Sequence, residues 1–112
     1  MTENIPIEID PHELHQLLES GDPVELIDCR EPHEFEICRI SEPRLLPTTQ
    51  IHDWLPKFTC EPDRPVVVYC HHGIRSFHVV AALRSNGFPQ ARSLSGGIEA
   101  WSQQIDPEMP SY

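Results

Sequence analysis

The stretch VVVYCHHGIRS, residues 66–76, changes character in its middle. Val66 to Tyr69 form an unbroken apolar run, which is typical of a central parallel strand that is covered on both faces. Cys70 follows directly, and then two histidines, a glycine and an arginine within one short loop. In α/β proteins ligands bind beyond the carboxyl ends of parallel strands. The stretch therefore predicts a buried strand with reactive and cationic groups at its ligand-binding end.

The rest of the chain alternates between strand-like and helix-like segments. Strands are predicted at 5–9, 24–28, within 44–49, at 65–70 and at 91–95. Helices are predicted at 10–21, as a short helix or turn at 31–37, from Ile51 to a break at Pro56, from Ser76 to Asn86, and from Gly96-Gly97 to Asp106. This alternation predicts an α/β fold with a mostly parallel sheet. The length of 112 residues fits one domain that spans residues 1–112.

Two of these helices carry specific local signals. Asp10, Pro11 and Glu13 form a start that resembles a capping box for the first helix. The helix from Ser76 to Asn86 takes Ser76 as its N-cap. That helix is apolar on most sides, so we expect it to be buried.

Composition and charge restrict the classes of function. The formal net charge of −10 argues against sequence-independent nucleic-acid binding, which requires a basic surface, and against binding to anionic membranes. The N-terminal stretch lacks the basic and apolar regions of a signal peptide, and no segment is long enough to span a bilayer. We therefore expect a cytoplasmic protein whose four cysteines are reduced thiols. The usual spacings of zinc ligands are absent, so no metal and no cofactor are expected.

The segment from Cys70 to Ser76 joins the predicted strand to the predicted helix, so it lies at a helix N-terminus. Free backbone amides and the helix dipole favour an anion there. A cysteine in that field is expected to have a depressed pKa and to be largely thiolate. Gly73 allows successive amides to turn inward as an anion-binding nest, and Arg75 adds a permanent cation that suits an oxyanion. These features predict that Cys70 is a nucleophile.

Each residue of this loop also has a structural interpretation. A free cysteine at a strand end is commonly a small buried core residue. Arg75 is interpreted either as a contact for a substrate anion or a clamp on the loop, or as a structural ion pair with Asp28 as a candidate partner. His71 and His72 are interpreted either as donors at the rim of the site or as solvated surface residues.

Four segments carry a family resemblance. They are LIDCREPHEFEICRI, YCHHGIRS, AALRSNGFPQARSLSGGIEAW and IDPEMPSY, and together they cover most of residues 24–112. In these segments the chain resembles the single-domain rhodaneses, members of the rhodanese-like sulfurtransferases. The resemblance implies a three-layer α/β domain in which helices flank a five-stranded, mostly parallel sheet.

The resemblance also implies an activity. Cys70 would accept a sulfane sulfur from thiosulfate or another persulfide donor and pass it to a thiol or a cyanide-like acceptor. A sulfur-carrier protein is a further candidate partner. The backbone amides of residues 71–75, Ile74 among them, would hold the cysteine persulfide, and Arg75 would face the donor anion.

Two neighbouring features either match the family or depart from it. Asp28 and Arg30 match the family's D-x-R-E motif and, with Ser76, would support the site. The family usually has a Pro-Gly-Ala-like turn after the second helix, where this chain reads ISEPRLLP at 40–47. Cys38, just before that turn, is interpreted either as a resolving thiol or as a packed core cysteine.

Two other functions are consistent with this sequence. A non-catalytic rhodanese-like module for binding or regulation would share the fold, but such modules commonly lack the cysteine that this chain has. Phosphatases and arsenate reductases of the related cysteine-loop type resemble C-x5-R, a loop that fits a tetrahedral phosphate. Here the spacing from Cys70 to Arg75 is C-x4-R, one residue shorter, which suits a single sulfur atom better.

Overall fold

Five strands and five α-helices form the fold of residues 5–112, the part of the chain that the computed structural model describes. The strands are β1 (Glu8–Ile9), β2 (Glu25–Asp28), β3 (Arg44–Leu45), β4 (Val66–Tyr69) and β5 (Ala91–Leu94). The helices are α1 (Pro11–Glu19), α2 (Pro32–Ile37), α3 (Ile51–Trp54), α4 (Ile74–Ser85) and α5 (Gly97–Gln104). Residues 1–4 of the predicted domain lie outside the described residues. None of these five helices combines the length and the apolar composition that crossing a membrane requires.

The sheet has the strand order β1-β5-β4-β2-β3, and each neighbouring pair is parallel. β4 lies in the centre, where none of its residues is more than 1% exposed. This burial on both faces is what its unbroken apolar run predicts. The predicted α/β fold with a five-stranded, mostly parallel sheet is confirmed. Because the strands are parallel, their carboxyl ends meet at one edge of the sheet.

The core consists of two buried clusters, one on each face of the sheet. Alternate residues of a strand point to opposite faces, so β4 contributes to both clusters. Val66, Val68 and Cys70 pack in one cluster with residues of α4, namely Val79, Val80 and Leu83. Val67 and Tyr69 pack in the other cluster with residues of α1 and α5, namely Leu14, Ile98 and Trp101. The fold therefore has three layers, and Cys70 faces the layer that contains α4.

Two helix boundaries follow their local sequence signals. The Asp10 carboxylate accepts a hydrogen bond of 2.9 Å from the amide of Glu13, which caps α1 as predicted. α3 ends at Trp54, and a 3₁₀ turn that contains Pro56 follows it. A proline in a helix interior removes a backbone donor and clashes with the preceding turn. The predicted break at Pro56 is therefore confirmed.

The start of α4 differs from its prediction in two respects. Gly73 is the N-cap, with a φ of 102° in the left-handed region, and Ser76 lies in the first turn of the helix. The prediction of Ser76 as N-cap is wrong. Glycine adopts a left-handed φ at little steric cost, so the helix begins directly after Gly73, before Ser76 is reached. Burial of the whole helix was also a wrong expectation, because Ile74 is 70% exposed and Phe77 is 40% exposed.

The turn after α2 is strained where the family would usually have a glycine-containing turn. Ser41 has a φ of 53°, and it is the one non-glycine residue with positive φ among residues 5–112. That conformation costs a residue with a Cβ atom about 1–2 kcal/mol. The chain therefore makes a left-handed turn here without the residue that best tolerates it.

Candidate active site

Cys70 lies directly after β4, at the edge of the sheet where the other strands also end. The loop after β2 lies beside it, since the amide of Cys29 donates a hydrogen bond of 3.1 Å to the carbonyl of Tyr69. The start of α5 lies on the other side, since the amide of Ile98 donates to the carbonyl of Cys70 at 2.8 Å. The N-terminus of α4 points at the Cys70 sulfur. The topology thus gathers three chain segments around one thiol.

Backbone and hydroxyl donors surround the Cys70 sulfur. Its Sγ accepts hydrogen bonds from the amides of Gly73 at 3.1 Å and Ser76 at 3.3 Å. The Ser76 Oγ lies 3.4 Å from Sγ and 2.8 Å from the Oγ of Ser93 on β5. When Ser93 donates to Ser76, the Ser76 hydroxyl proton is free to point at an ionised sulfur. Two backbone amides and one hydroxyl group therefore surround the sulfur of a residue that is 1% exposed, an arrangement of donors that suits an anion.

These contacts favour the ionised form of Cys70. The neighbouring Cys29 thiol has the largest effect in lowering the pKa of Cys70 to about 4, and the hydroxyl and amide of Ser76 and the amide of Gly73 lower it further. Burial acts in the opposite direction but is outweighed. The same pairing with Cys70, together with burial, raises the pKa of Cys29. The contacts of this pair therefore favour the thiolate form of Cys70 and the neutral thiol form of Cys29.

The lowered pKa predicts an unusual pH dependence for alkylation of Cys70. Iodoacetamide reacts with thiolates, so the labelling rate should be constant from neutral pH down to near the pKa of about 4. An ordinary thiol loses reactivity below a pKa of about 8.5. The half-buried Cys60, whose pKa is raised by burial, is an internal reference. Peptide mass spectrometry of both sites over pH tests this, and an inflection of Cys70 near 8.5 would contradict it.

The N-terminus of α5 binds the backbone carbonyls at the start of the Cys70 loop. The amides of Ile98 and Glu99 donate to the carbonyls of Cys70 and His71, at 2.8 and 3.1 Å. These are amides of the first helical turn, which have no partner within the helix. Gly97 has a φ of 63°, and a Cβ atom there would lie 2.3 Å from the His71 carbonyl oxygen. Glycine at this position therefore allows the helix to approach the loop.

Arg75 forms a two-point ion pair with Glu34 of α2. Its two terminal nitrogens lie 2.7 and 2.9 Å from the two carboxylate oxygens. The Glu34 side chain is 9% exposed, whereas that of Arg75 is 36% exposed. The guanidinium lowers the pKa of Glu34 to about 2. The pair ties the start of α4 to α2, and it replaces the pairing with Asp28 that the sequence suggested as an alternative.

Asp28 instead pairs with Arg30, and both side chains are fully buried. Arg30 donates to the two carboxylate oxygens at 2.9 and 2.7 Å, and also to the carbonyl of Cys38. It donates further to the Tyr112 hydroxyl at 2.8 Å, which in turn donates to Glu34 at 2.8 Å. A continuous network therefore runs from the end of β2 to the ion pair at the start of α4.

The two histidines lie at the rim of the site. The rings of His71 and His72 stack at 3.9 Å, and the Tyr112 ring stacks on His71 at 4.0 Å. His72 Nε2 lies 2.6 Å from a carboxylate oxygen of Glu99. Within residues 5–112, His71, His72 and Glu99 form the one group of three side chains whose ligand atoms are close enough for a metal, within 4.8 Å of one another. The expectation of no metal stays a prediction.

Comparison with known proteins agrees with this architecture. Residues 10–104 match the rhodanese-like domain family. The chain belongs to this family. It has a TM-score of 0.76 and 31% identity to a solved rhodanese-like domain protein from Staphylococcus aureus, covering 86% of this chain and 91% of that one.

Two relatives connect this rhodanese-like chain to sulfur transfer. It is 34% identical over 100 residues to the thiosulfate sulfurtransferase GlpE of Ectopseudomonas mendocina, covering 89% of this chain and 88% of GlpE. It is 39% identical over 104 residues to the probable adenylyltransferase/sulfurtransferase MoeZ of Mycobacterium tuberculosis. That match covers 93% of this chain but only 26% of MoeZ, so the chain spans about a quarter of that relative. Family and relatives together support sulfur transfer in general.

Three residues of this rhodanese-like site were not identified from the sequence. Ser93 extends the hydrogen bonds around Cys70, and its signal is a small hydroxyl at an inward position of a buried strand. Glu34 is the partner of Arg75, from which it is 41 residues distant in the chain, and Tyr112 bonds to Glu34 from 78 residues away. Such pairings have no local signature. Ile74, which the sequence grouped with the site, directs a largely exposed side chain outward.

Proposed function

We propose that the protein is a rhodanese-type sulfurtransferase that carries a sulfane sulfur on Cys70. The donor is thiosulfate or another persulfide, and the acceptor is a thiol or a cyanide-like nucleophile, with a sulfur-carrier protein as a further candidate. The observation that carries the proposal is the Cys70 sulfur, held by the amides of Gly73 and Ser76 at the start of α4 with its pKa lowered to about 4. One domain over residues 1–112 and a cytoplasmic location stay predictions.

The reaction proceeds in two displacements. The Cys70 thiolate attacks the outer sulfur of thiosulfate, the sulfur–sulfur bond of the donor breaks, and sulfite leaves with the electron pair. Cys70 then carries a persulfide with one negative charge. An acceptor nucleophile attacks the terminal sulfur and regenerates the thiolate, which completes covalent ping-pong catalysis.

The start of α4 can stabilise both charged forms of Cys70. The amides of Ile74 and Arg75 belong to its first turn, where amides have no intrahelical partner. They are therefore available to a terminal sulfur that extends beyond Sγ. The same short loop disfavours a phosphatase, since C-x4-R leaves less room than a phosphate requires. A purely binding module would have no need of a thiolate held in this way.

Intact mass spectrometry tests the proposal. A brief incubation with excess thiosulfate should add one sulfur atom to the wild type and none to Cys70→Ser. Cys60→Ser and Cys38→Ser are controls for the other thiols that lie outside the loop, and both should gain the sulfur. Uptake by Cys70→Ser, or no uptake by the wild type, would contradict the proposed function.

Arg75 is proposed to contact the anionic end of thiosulfate. Its guanidinium is one-third exposed at the rim while two of its nitrogens bind Glu34. Arg75→Ala would remove a charge-assisted hydrogen bond worth about 1.5–3 kcal/mol. That corresponds to a roughly ten- to hundredfold loss in kcat/KM for thiosulfate. A neutral persulfide donor should lose much less, and steady-state kinetics with both donors measure the difference.

Glu34→Gln is the matched control for Arg75. If Arg75 acts only as a clamp between α4 and α2, breaking the pair from the Glu34 side should reproduce the loss. If Arg75 contacts the donor, Glu34→Gln should leave the preference for thiosulfate over the neutral donor nearly unchanged. Equal losses for both donors in both variants would contradict the anion contact.

A further inference from the structure

Cys29 and Cys70 occupy neighbouring positions on two adjacent strands. β2 and β4 are parallel partners, and the last pair in their register is Asp28 with Tyr69. The amide of Cys29 continues the ladder by donating to the Tyr69 carbonyl at 3.1 Å. Cys29 and Cys70 are therefore the next pair. Neighbouring strands lie about 4.8 Å apart, within the Cα separation of about 4.4–6.8 Å that a disulfide spans.

Both side chains point into the same buried layer. Cys29 follows Ile27 by two positions, as Cys70 follows Val68, and all four belong to the cluster that packs against α4. Cys29 is 0% exposed and Cys70 is 1% exposed. Cys38, the resolving thiol suggested from the sequence, belongs to the cluster on the opposite face of the sheet. Cys60 packs against the layer of Cys70 but is only partly buried. Cys29 is therefore the fully buried thiol that shares this layer with the Cys70 sulfur.

We propose that Cys29 is a resolving thiol, which displaces a group bonded to the Cys70 sulfur and leaves a Cys29–Cys70 disulfide. The group displaced in the sulfur-transfer cycle is hydrosulfide, and this part rests on the proposed function. Cys29 contacts the inner sulfur of a Cys70 persulfide, because that is the atom beside it in the layer. An external acceptor reaches the outer sulfur instead, because the outer sulfur extends toward the loop.

The step balances without an external oxidant. Cys29 gives up its proton, its sulfur attacks Sγ of Cys70, and the bond from Sγ to the terminal sulfur breaks. The terminal sulfur leaves with the electron pair and the proton as hydrosulfide. The Cys29 sulfur is oxidised from a thiol to a disulfide sulfur, the Cys70 sulfur keeps the oxidation level that it had in the persulfide, and the terminal sulfur is reduced to hydrosulfide. A cellular thiol or dithiol then reduces the disulfide and restores the site.

The protonation state of Cys29 makes disulfide formation slow relative to sulfur transfer to an external acceptor. Its raised pKa keeps it a neutral thiol, which is a poor nucleophile. A persulfide that meets an acceptor is therefore consumed first. One that meets no acceptor is discharged by Cys29, which leaves the nucleophile protected as a disulfide from further oxidation.

A small thiolating reagent tests the resolving step independently of sulfur transfer. The parent protein is the Cys38→Ala/Cys60→Ser double variant, in which Cys29 and Cys70 are the remaining thiols. One equivalent of methyl methanethiosulfonate places a methylthio group on Cys70. In the parent this group should leave as methanethiol, giving a mass two hydrogens below the reduced protein and a crosslink between the peptides that contain Cys29 and Cys70.

Two further variants of the parent keep this test decisive. Cys29→Ser retains a donor beside the Cys70 thiolate, and Cys29→Ala removes it, and both should keep the methylthio group. A stable methylthio adduct in the parent would overturn the proposal. The absence of any reaction at Cys70 would also overturn the proposal, because Cys29 would then have no group on the Cys70 sulfur to displace.

Thiosulfate provides the second arm with the same proteins. The parent should gain a sulfur atom and then lose it as hydrosulfide while the disulfide appears, whereas Cys29→Ser should hold its persulfide. A persulfide that is equally stable in both would overturn the release of hydrosulfide. If no variant takes up sulfur but the methylthio group is displaced, the resolving thiol stands and the sulfurtransferase proposal fails.

Discussion

Gly97→Ala is expected to reduce kcat/KM for sulfur transfer by about a hundredfold, because it displaces the loop that holds the Cys70 sulfur. The added Cβ atom would lie 2.3 Å from the His71 carbonyl oxygen and 2.6 Å from that of Cys70. Both contacts are with backbone atoms, which cannot rotate away. Overpacking and the positive φ of 63° together are expected to cost roughly 2–5 kcal/mol of unfolding free energy.

Gly21→Ala is the control that separates the cost of the positive φ from the cost of the steric clash. Gly21 has a φ of 81°, and no heavy atom lies within 4 Å of the position of its Cβ. This variant therefore carries the backbone strain without the clash and should retain wild-type activity. Urea unfolding and steady-state kinetics with thiosulfate compare the two variants. Wild-type activity and an unchanged alkylation profile of Cys70 in Gly97→Ala would refute the role assigned to the α5 contact.

The elements that the sequence predicts well are those with local causes. The apolar run of β4 is buried on both faces because it is central, and Asp10 caps α1 through an amide only three residues away. Pro56 breaks α3 through its own ring and missing amide. The order of strands and helices follows from these signals. Because strands alternate with helices along the chain, a parallel sheet covered by helices is the main arrangement that buries their apolar faces.

The details of the site depend on contacts that no local pattern contains. Gly73 and Ser76 are both candidates for the N-cap, and the φ of 102° at Gly73, which glycine adopts at little steric cost, decides the outcome. The partner of Arg75 is set by how α2 packs beside α4 and not by spacing. Likewise, the pairing of Cys29 with Cys70 requires the register of β2 on β4. Residue types thus indicated the chemistry, and topology decided which residues meet.

Arg30→Met is expected to lower the free energy of unfolding by about 3–5 kcal/mol, the usual cost of leaving one partner of a buried ion pair alone. Both Arg30 and Asp28 are 0% exposed, so the carboxylate cannot recover its interactions with water. Methionine preserves much of the side-chain length, which restricts the effect to the lost charge and hydrogen bonds. Tyr112 and the Cys38 carbonyl also lose a donor. Denaturant titration monitored by circular dichroism measures the loss.

Arg44→Met is the matched control, since it removes the same group from a partly exposed pair. Arg44 lies 2.7 Å from Glu25, and the two side chains are 50% and 15% exposed, so water screens this pair and it contributes at most about 1 kcal/mol. Asp28→Asn combined with Arg30→Met should recover part of the loss, because the double variant no longer buries an unpaired charge. The prediction would be contradicted if Arg30→Met and Arg44→Met lowered the free energy of unfolding equally and the double variant recovered none of it. The buried pair of Asp28 and Arg30 would then not be what stabilises this edge of the sheet.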